Sequence, residues 1–162
     1  MPSPKSQPEI LVHYHDHIEP GQYRAYCRSA QIYRDGPYAR WVCALQFDVL
    51  DDSLTRVVAR LTGFWNLGSG DRPRCTSRRA RYWALWISAN GGQPPKRSDR
   101  LSPKIFEGRH AVVLVDDVST NFKQMTMSES EVYSVVREVV SWETGAVLGS
   151  TTNQPATNFR QA

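Results

Sequence analysis

Cysteine is scarce in this sequence, and the motifs of nucleophilic and phosphate-binding sites are absent. The three cysteines, Cys27, Cys43 and Cys75, are widely spaced and odd in number, which argues against a disulfide framework or a paired zinc site. Cys27 and Cys43 lie in apolar predicted strands, where cysteine serves as a small buried side chain. The chain also lacks a Gly-x-Ser-x-Gly elbow, a Walker loop, a Gly-x-Gly-x-x-Gly turn and a Cys-x-x-Cys pair. These absences exclude the commonest hydrolase, nucleotide and redox sites.

Long apolar runs are missing too, and the first nine residues, MPSPKSQPE, contain no hydrophobic stretch. The sequence therefore indicates neither a membrane span nor a secretory signal, and we expect a protein of the reducing cytoplasm. Residues 1–9 are expected to form a disordered N-terminal tail, and residues 145–162 a flexible C-terminal tail, because both are polar and have little to bury. Residues 10–144 are expected to form one domain, since 162 residues suit a single hydrophobic core.

What the sequence does contain is an order of segments typical of an OB-fold barrel. Alternating or β-branched apolar residues predict strands at 23–34, 41–50, 56–61, 110–118 and 132–142. The last run also fits helical spacing, but its valines favour a strand. Residues 78–89 have helical spacing, with Gly91-Gly92 as the end of the helix. We predict an all-β fold with one helix: a five-stranded OB-like antiparallel barrel with the helix between strands 3 and 4.

Basic residues are concentrated in the middle third of the chain. Lys+Arg 20 against Asp+Glu 16 gives a net charge of +4, yet twelve of the bases and only three of the acids fall within residues 56–109. Such a zone favours a polyanionic partner, because each phosphate contact releases condensed counterions. Most of these bases are arginines, which grip phosphate bidentately and stack on bases. The alternative is a solvated basic face without a ligand.

Aromatic residues accompany the arginines, as they do in proteins that bind single-stranded nucleic acid. Tyr26 stands between two arginines of the first strand, and strict alternation puts Tyr33 on the opposite face from Tyr26. Trp65 falls in residues 63–73, a glycine-rich stretch predicted as a long loop. The predicted site comprises Arg24, Arg28, Arg56 and Arg60 on phosphate, Tyr26 and Trp65 as stacking rings, and Arg97 and Arg100 as a mobile basic clamp.

Histidines cluster at His13, His15 and His17, with Asp16 among them. On a strand the three imidazoles would project to one side, as metal ligands do. The pattern is similar to the His-x-His-x-Asp-His of metallo-β-lactamase-like hydrolases, but one residue is missing before the aspartate, and His110 is the only other histidine. We therefore predict surface histidines, no bound metal and no cofactor. Asp116-Asp117, at the end of a predicted strand, could hold Mg²⁺, but neighbouring strand residues point in opposite directions, so we interpret the pair as turn chemistry.

Three short motifs resemble the single-stranded-DNA-binding OB proteins of bacteriophages and integrative elements. They are Pro20-Gly21-Gln22-Tyr23 before the first strand, Leu45-Gln46-Phe47-Asp48-Val49 in the second, and Phe106-Glu107-Gly108-Arg109-His110-Ala111 entering the fourth. The resemblance covers residues 19–143. It implies an OB fold that binds single-stranded DNA without catalysis, in replication, recombination or transfer of a phage or mobile element. The sequence ends Asn158-Phe159-Arg160-Gln161-Ala162, without the acidic tip by which bacterial single-strand binders recruit partners.

The expected partner is thus nucleic acid, with single-stranded DNA ahead of RNA, and the protein is expected to have no catalytic residue. Self-association is left open. Two other classes of function also remain open. One is a structural or protein-interaction barrel whose basic surface meets an acidic protein. The other, less favoured, is a metal-dependent hydrolase that uses His13, His15 and His17.

Overall fold

A computed structural model describes residues 16–75, 77–97, 100–121 and 123–143. The described residues form, in chain order, the strands and helix β1 (Gly21–Asp35), β2 (Arg40–Leu50), β3 (Val57–Asn66), α1 (Arg81–Ala89), β4 (Arg109–Val118) and β5 (Tyr133–Trp142). Short 3₁₀ helices, Pro103–Phe106 and Glu129–Glu131, precede β4 and β5. The strands close into a barrel in the order β1-β2-β3-β5-β4. This confirms the predicted β-rich, five-stranded OB-like barrel with a helix between strands 3 and 4.

One pair of neighbouring strands differs from the antiparallel arrangement that we predicted. β3 and β5 run parallel, whereas the other neighbouring pairs are antiparallel. A closed ring with an odd number of strands cannot alternate direction throughout, so at least one pair must be parallel. The ladder of this pair, whose two strands are described in full, consists of Gly63 opposite Val136. The barrel therefore has a weakly paired seam between β3 and β5.

Residues 16–18 fasten this seam. The carboxylate of Asp16 accepts a hydrogen bond from the backbone N–H of Arg60 on β3 at 2.7 Å, and its carbonyl accepts one from the N–H of Ser134 on β5 at 3.1 Å. The Ser134 hydroxyl accepts from the N–H of Ile18 at 2.9 Å and donates to its carbonyl at 3.1 Å. Residues 16–18 thus accept hydrogen bonds from backbone N–H groups of β3 and β5, which a longer ladder between these two strands would otherwise pair.

Alternating apolar residues of β2 fill the barrel interior. Cys43, Leu45, Phe47 and Val49 are fully buried, because side chains two positions apart on a strand point to the same face. The inward residues of β4, Ala111, Val113 and Val115, meet them from across the barrel. The structure thus confirms the strand that this alternation predicts at residues 41–50.

Helix α1 and the 3₁₀ helix before β4 close one end of the barrel with aromatic rings. Phe106 stacks on Trp142 of β5 with ring centroids 5.4 Å apart, and Tyr82 of α1 meets Phe106 edge-on at 5.9 Å. The Tyr82 hydroxyl donates to the carbonyl of Leu101 at 2.7 Å, which satisfies its polar end where the ring is buried. The 3₁₀ helix before β4 thus closes this end of the barrel with the buried ring of Phe106.

Helix α1 is shorter than the predicted helix at residues 78–89. It begins at Arg81 because residues 78–80 form a turn, in which the Ser77 hydroxyl accepts a hydrogen bond from the N–H of Arg79 at 3.0 Å. Its end agrees with the prediction: the N–H of Gly92 donates to the carbonyl of Ile87 at 2.9 Å, in a Schellman arrangement. Within the described ranges, no helix is both long and apolar enough to cross a membrane.

Strand β3 is longer than the predicted strand at residues 56–61. It continues to Asn66, which pairs with Val42 of β2, so the predicted loop at residues 63–73 was wrong over its first four residues. Three glycines suggested a loop, but β2 offers pairing partners along the whole of this stretch. The predicted tails, residues 1–9 and 145–162, lie outside the described residues, as do His13 and His15.

Candidate nucleic-acid interface

The outward side chains of β1, β2 and β3 form one continuous surface, which we call the β1–β3 face. Cross-strand pairing sets its rows, because directly paired residues project to the same side of a sheet. From one end to the other the rows are Tyr26, Asp48 and Arg60, then Ser29, Gln46 and Thr62, then Gln31, Ala44 and Phe64, and last Tyr33, Val42 and Asn66.

A bulge in β1 brings both tyrosines to this face. The register shifts between Cys27 and Ser29, so that Tyr26 pairs with Asp48 and Tyr33 pairs with Val42. Both partners are even-numbered residues of β2 and lie on its outward side. The prediction that only one of the two tyrosines faces outward was therefore wrong, because a bulge adds one residue and reverses the alternation that follows it.

Two rings of the face are exposed. Tyr33 and Phe64 are each 40% exposed, and they flank the small, buried Ala44 and Val42 of the central strand. Val42 and Ala44 are almost inaccessible to solvent, so Tyr33 and Phe64 supply the exposed apolar area of this part of the face. Tyr26 is half-buried and leans over β4, where its ring lies 5.1 Å from the ring of His110. The exposed rings, Tyr33 and Phe64, are those that sequence reasoning missed.

Trp65, which we predicted as a stacking ring, points into the barrel. It is 2% exposed, and its ring lies 5.9 Å from the guanidinium carbon of Arg81 on α1. The prediction was wrong because it assumed a loop, whereas Trp65 follows Phe64 in a strand and so takes the opposite face. The alternation of Leu61, Gly63 and Trp65 was the signal that could have placed Phe64 outward.

Asp48 lies within ion-pair distance of two of the predicted arginines. Its Oδ2 is 3.5 Å from Nε of Arg28, and its Oδ1 is 3.4 Å from Nε of Arg60. Both guanidinium groups remain largely open to solvent, with side chains 47% and 71% exposed, whereas the Asp48 side chain is 14% exposed. Arg28 and Arg60 are thus brought together on the face, as the prediction requires, around an acid that it did not include.

Arg24 and Arg56 stand apart from this group. The Arg24 guanidinium donates to the carboxylate of Glu143, the residue after β5, which neutralises its charge locally. Arg56 is exposed just before β3, and its N–H donates to the carboxylate of Asp51 at 3.3 Å. Hydrogen bonds from the Ser53 hydroxyl and from the N–H groups of Thr55 and Arg56 lower the pKa of Asp51. Arg56 thus lies directly after an ordered turn, at one end of the β1–β3 face.

Arg97 and Arg100 are exposed in the segment between α1 and the 3₁₀ helix before β4. The N–H of Arg100 donates to the carbonyl of Arg97 at 3.1 Å, which forms a local turn. Because both residues lie outside the sheet, strand register does not place them on the β1–β3 face. Their role as a basic clamp stays a prediction.

A cleft of about 120 Å³ adjoins the face at the seam between β3 and β5. Phe64 and Arg60 belong to both the cleft and the face, and Tyr133 lines the cleft from the side of β5. The surface available to a ligand therefore extends from the strands into a recess with an aromatic wall and a cation. Among its other lining residues are Asp16, Thr62 and Ser134.

The residues proposed for metal binding are engaged in other contacts where the structure describes them. His17 Nε2 lies 2.9 Å from Oδ1 of Asp117, and Asp116 Oδ2 lies 2.8 Å from Nε of Arg137. Both aspartates belong to β4 and pair with β5, so their interpretation as a turn was wrong; they take different partners. In the part of the chain that the structure describes, no three His, Cys, Asp or Glu residues are grouped to hold a metal ion. That the protein binds no metal stays a prediction, since His13 and His15 are outside that part.

Comparison with known proteins adds no family to this geometry. Neither the models of known protein families nor the curated proteins include one that matches this sequence.

Proposed function

We propose that the protein binds single-stranded nucleic acid, with single-stranded DNA preferred, on the β1–β3 face and without catalysis. The observation that carries the proposal is the pairing of exposed rings and arginines on one surface. Tyr33 and Phe64 offer exposed rings, while Arg28 and Arg60 offer guanidinium groups at the other end of the same strands. OB-fold barrels bind oligonucleotides on this kind of surface.

The two kinds of side chain divide the task of recognition. A base that stacks on an aromatic ring gains roughly 1–3 kcal/mol, whatever its identity, because every base has a π face. In a duplex those faces are covered by neighbouring bases, so the rings favour a single strand. The arginines neutralise phosphates and release counterions, which makes affinity dependent on salt.

The small central strand supports this reading of the face. Ala44 separates Phe64 from Gln31, and Val42 lies beside Tyr33; both of these β2 residues are buried, so the exposed apolar area of this part of the face belongs to the two rings. Tyr33 is on β1 and Phe64 on β3, in neighbouring rows of the face, so a strand of nucleic acid that crosses β2 passes both rings. The cleft beside Phe64 extends this path toward Tyr133.

For the biological role we propose replication, recombination or transfer of a mobile element, which is supported by the resemblance of the sequence motifs to single-stranded-DNA-binding proteins of phages and integrative elements. The cysteines suit a reducing cytoplasm: Cys27, Cys43 and Cys75 are all free thiols, and disulfides are rare in that compartment. These parts of the proposal rest on the sequence motifs and on cysteine usage rather than on the geometry of the face.

The test is a titration of fluorescently labelled oligo-dT, followed by anisotropy, at a series of salt concentrations. We expect micromolar or tighter binding at low salt, weaker binding to a duplex of equal length, and a steep loss of affinity as salt rises. Replacement of Arg28 and Arg60 by alanine should reduce that salt dependence. The control is Arg78→Ala with Arg79→Ala, which removes the same charge from the turn before α1.

Two results would refute the proposal. One is an unbound oligonucleotide at low salt and high protein concentration, which would favour a barrel that binds an acidic protein. The other is equal weakening by both arginine pairs, which would show that net charge, rather than the β1–β3 face, carries the binding.

A further inference from the structure

A carboxylate occupies the middle of the cationic end of the β1–β3 face. Asp48 is in the central strand, with Tyr26 directly opposite on β1 and Arg60 directly opposite on β3. Its two oxygens face the Nε atoms of Arg28 and Arg60, at 3.5 Å and 3.4 Å. A phosphate that approaches these arginines must therefore approach a like charge.

The contacts of Asp48 are loose. Both distances exceed the 2.7–2.9 Å of a charge-assisted hydrogen bond, and Oδ1 is buried without a hydrogen-bond partner among the described residues. The arginines are much more exposed than the acid, and ion pairs with such solvent-exposed groups contribute little to stability. The arrangement is one that a better ligand can replace, because a phosphate accepts two parallel hydrogen bonds from one guanidinium.

We propose that Asp48 is an internal competitor for phosphate, which holds Arg28 and Arg60 in the free protein and releases them to the nucleic acid. The inference rests on the proposed function, since it concerns the same site. Asp48 offsets part of the positive charge that the two arginines bring, so fewer counterions gather on the free face. Repulsion between the Asp48 carboxylate and the phosphates of a bound strand weakens the complex. Asp48 thereby lowers the affinity for nucleic acid and makes that affinity less dependent on salt.

The test compares Asp48→Asn with Asp116→Asn in the oligo-dT titration. Both substitutions remove one negative charge with almost no change of shape; Asp48→Asn leaves behind two arginines that had been paired, and Asp116→Asn leaves one. Asp116 is on β4, away from the β1–β3 face, and its partner is Arg137. We expect Asp48→Asn to bind about five-fold more tightly than wild type. Its plot of log affinity against log salt should be steeper by about 0.7, the value for one further phosphate neutralised on a single strand.

Two further variants, Asp116→Asn and Asp48→Glu, distinguish a local effect of the Asp48 charge from a general effect of net charge. At about 0.15 M salt, where the Debye length is about 8 Å, Asp116→Asn should bind within about two-fold of wild type, because Asp116 is on β4 and its arginine partner is not one of the face. Asp48→Glu, which keeps the charge, should restore the shallower salt dependence of wild type. A merely structural role for Asp48 would not move the slope in this way.

The outcomes separate this inference from the function on which it rests. Binding by wild type, with Asp48→Asn no tighter than Asp116→Asn, would overturn the role of Asp48 alone. Absence of binding by all the proteins at low salt would overturn both proposals. A measurement on wild type covers the case in which Asp48→Asn does not fold: addition of oligo-dT should shift the Nε–Hε NMR signals of Arg28 and Arg60. Unshifted signals in a saturated complex would contradict the exchange of partners.

Discussion

Gly63 and Val136 approach each other more closely than a side chain at position 63 would allow. A Cβ atom built on Gly63 would lie 2.9 Å from the carbonyl oxygen of Val136 and 2.7 Å from ring atoms of Trp65. Both distances are shorter than real Cβ contacts. The closure of the barrel between β3 and β5 therefore depends on a residue without a side chain, as close approaches of two backbones commonly do.

Replacement of Gly63 by alanine should therefore destabilise the barrel. We expect a loss of about 1–3 kcal/mol in the free energy of unfolding, the usual cost of overpacking, measured by urea denaturation. The control is Gly36→Ala, because a Cβ at Gly36 meets no atom within 4 Å, and it should change stability by less than about 0.5 kcal/mol. Equal midpoints for the two variants would show that the seam tolerates a side chain.

Neighbouring aromatic residues of β3 should respond in opposite ways to truncation. Phe64→Ala should weaken oligo-dT binding by about 1–3 kcal/mol, the value of one stacked base, with little change in the thermal midpoint. Trp65→Ala should destabilise the fold by about 3–5 kcal/mol, because it empties a large volume of the core. Anisotropy titrations and thermal melts of both variants provide the check, with Tyr33→Ala expected to behave like Phe64→Ala.

Val140→Ala is the matched control for the exposed rings, since Val140 is an exposed apolar residue of β5, away from the β1–β3 face. It should leave oligo-dT affinity unchanged. If Phe64→Ala and Tyr33→Ala bind as well as Val140→Ala does, the stacking role of the face is refuted, whatever the arginines contribute.

Sequence reasoning located the strands because alternation is a local property. In β2, Cys43, Leu45, Phe47 and Val49 alternate without interruption, and the structure buries all of them. The same reasoning failed at Tyr33, because a bulge depends on how β1 pairs with its neighbour and leaves no mark in composition. Local pattern therefore predicts an element more reliably than the face that each of its residues takes.

The candidate site was harder to predict for a related reason. Arg28, Asp48 and Arg60 come from three strands, and their proximity follows from register, which is a property of the whole sheet. That one pair of strands is parallel could have been predicted, since an odd-stranded closed ring requires it, whereas its identity as β3 with β5 depends on the strand order. The arginine count pointed to a basic surface, but it could not show that Glu143 would neutralise Arg24.

The cysteines should differ sharply in reactivity. Burial, with smaller contributions from Glu107 and Cys43, raises the pKa of the Cys27 thiol to about 12, and burial raises that of Cys43 to about 12. The thiolate is the reactive form, and both side chains are fully buried. Titration of the native protein with an aromatic disulfide reagent at pH 8 should release one equivalent rapidly, from Cys75, and three after denaturation. Rapid release of two or three equivalents from native protein would contradict this.

The same thiols should make the fold sensitive to alkali. Their pKa values rise from 9.0 to about 12 on folding, so the folded state binds protons that the unfolded state loses. This contribution is fully present below pH 9 and is lost as the pH rises from about 9 to about 12. Urea midpoints should fall through that window, and should fall less steeply for Cys27→Ala with Cys43→Ala. An equal slope for the two proteins would assign the loss to other groups.

Replacement of His13, His15 and His17 by alanine should leave both the fold and oligo-dT binding nearly unchanged. His17 and Asp117 are substantially exposed, and surface pairs of this kind contribute at most about 1 kcal/mol. The check is elemental analysis of protein purified without a histidine tag, with a chelator challenge. Stoichiometric zinc or manganese, together with a hydrolase activity that the chelator abolishes, would replace the binding proposal with the enzyme.

The seam between β3 and β5 has a consequence for local motion. Hydrogen exchange reports the opening of individual backbone hydrogen bonds, and a strand pair joined at Gly63 and Val136 has few of them to break. Amides of β3 near the seam should therefore exchange sooner than those of the continuous β1–β2 ladder, through partial openings that leave the rest of the barrel folded. Phe64 and Arg60 are on the strand that would move. A nucleic acid held across this line would slow exchange there, because the open form lacks the surface to which it binds.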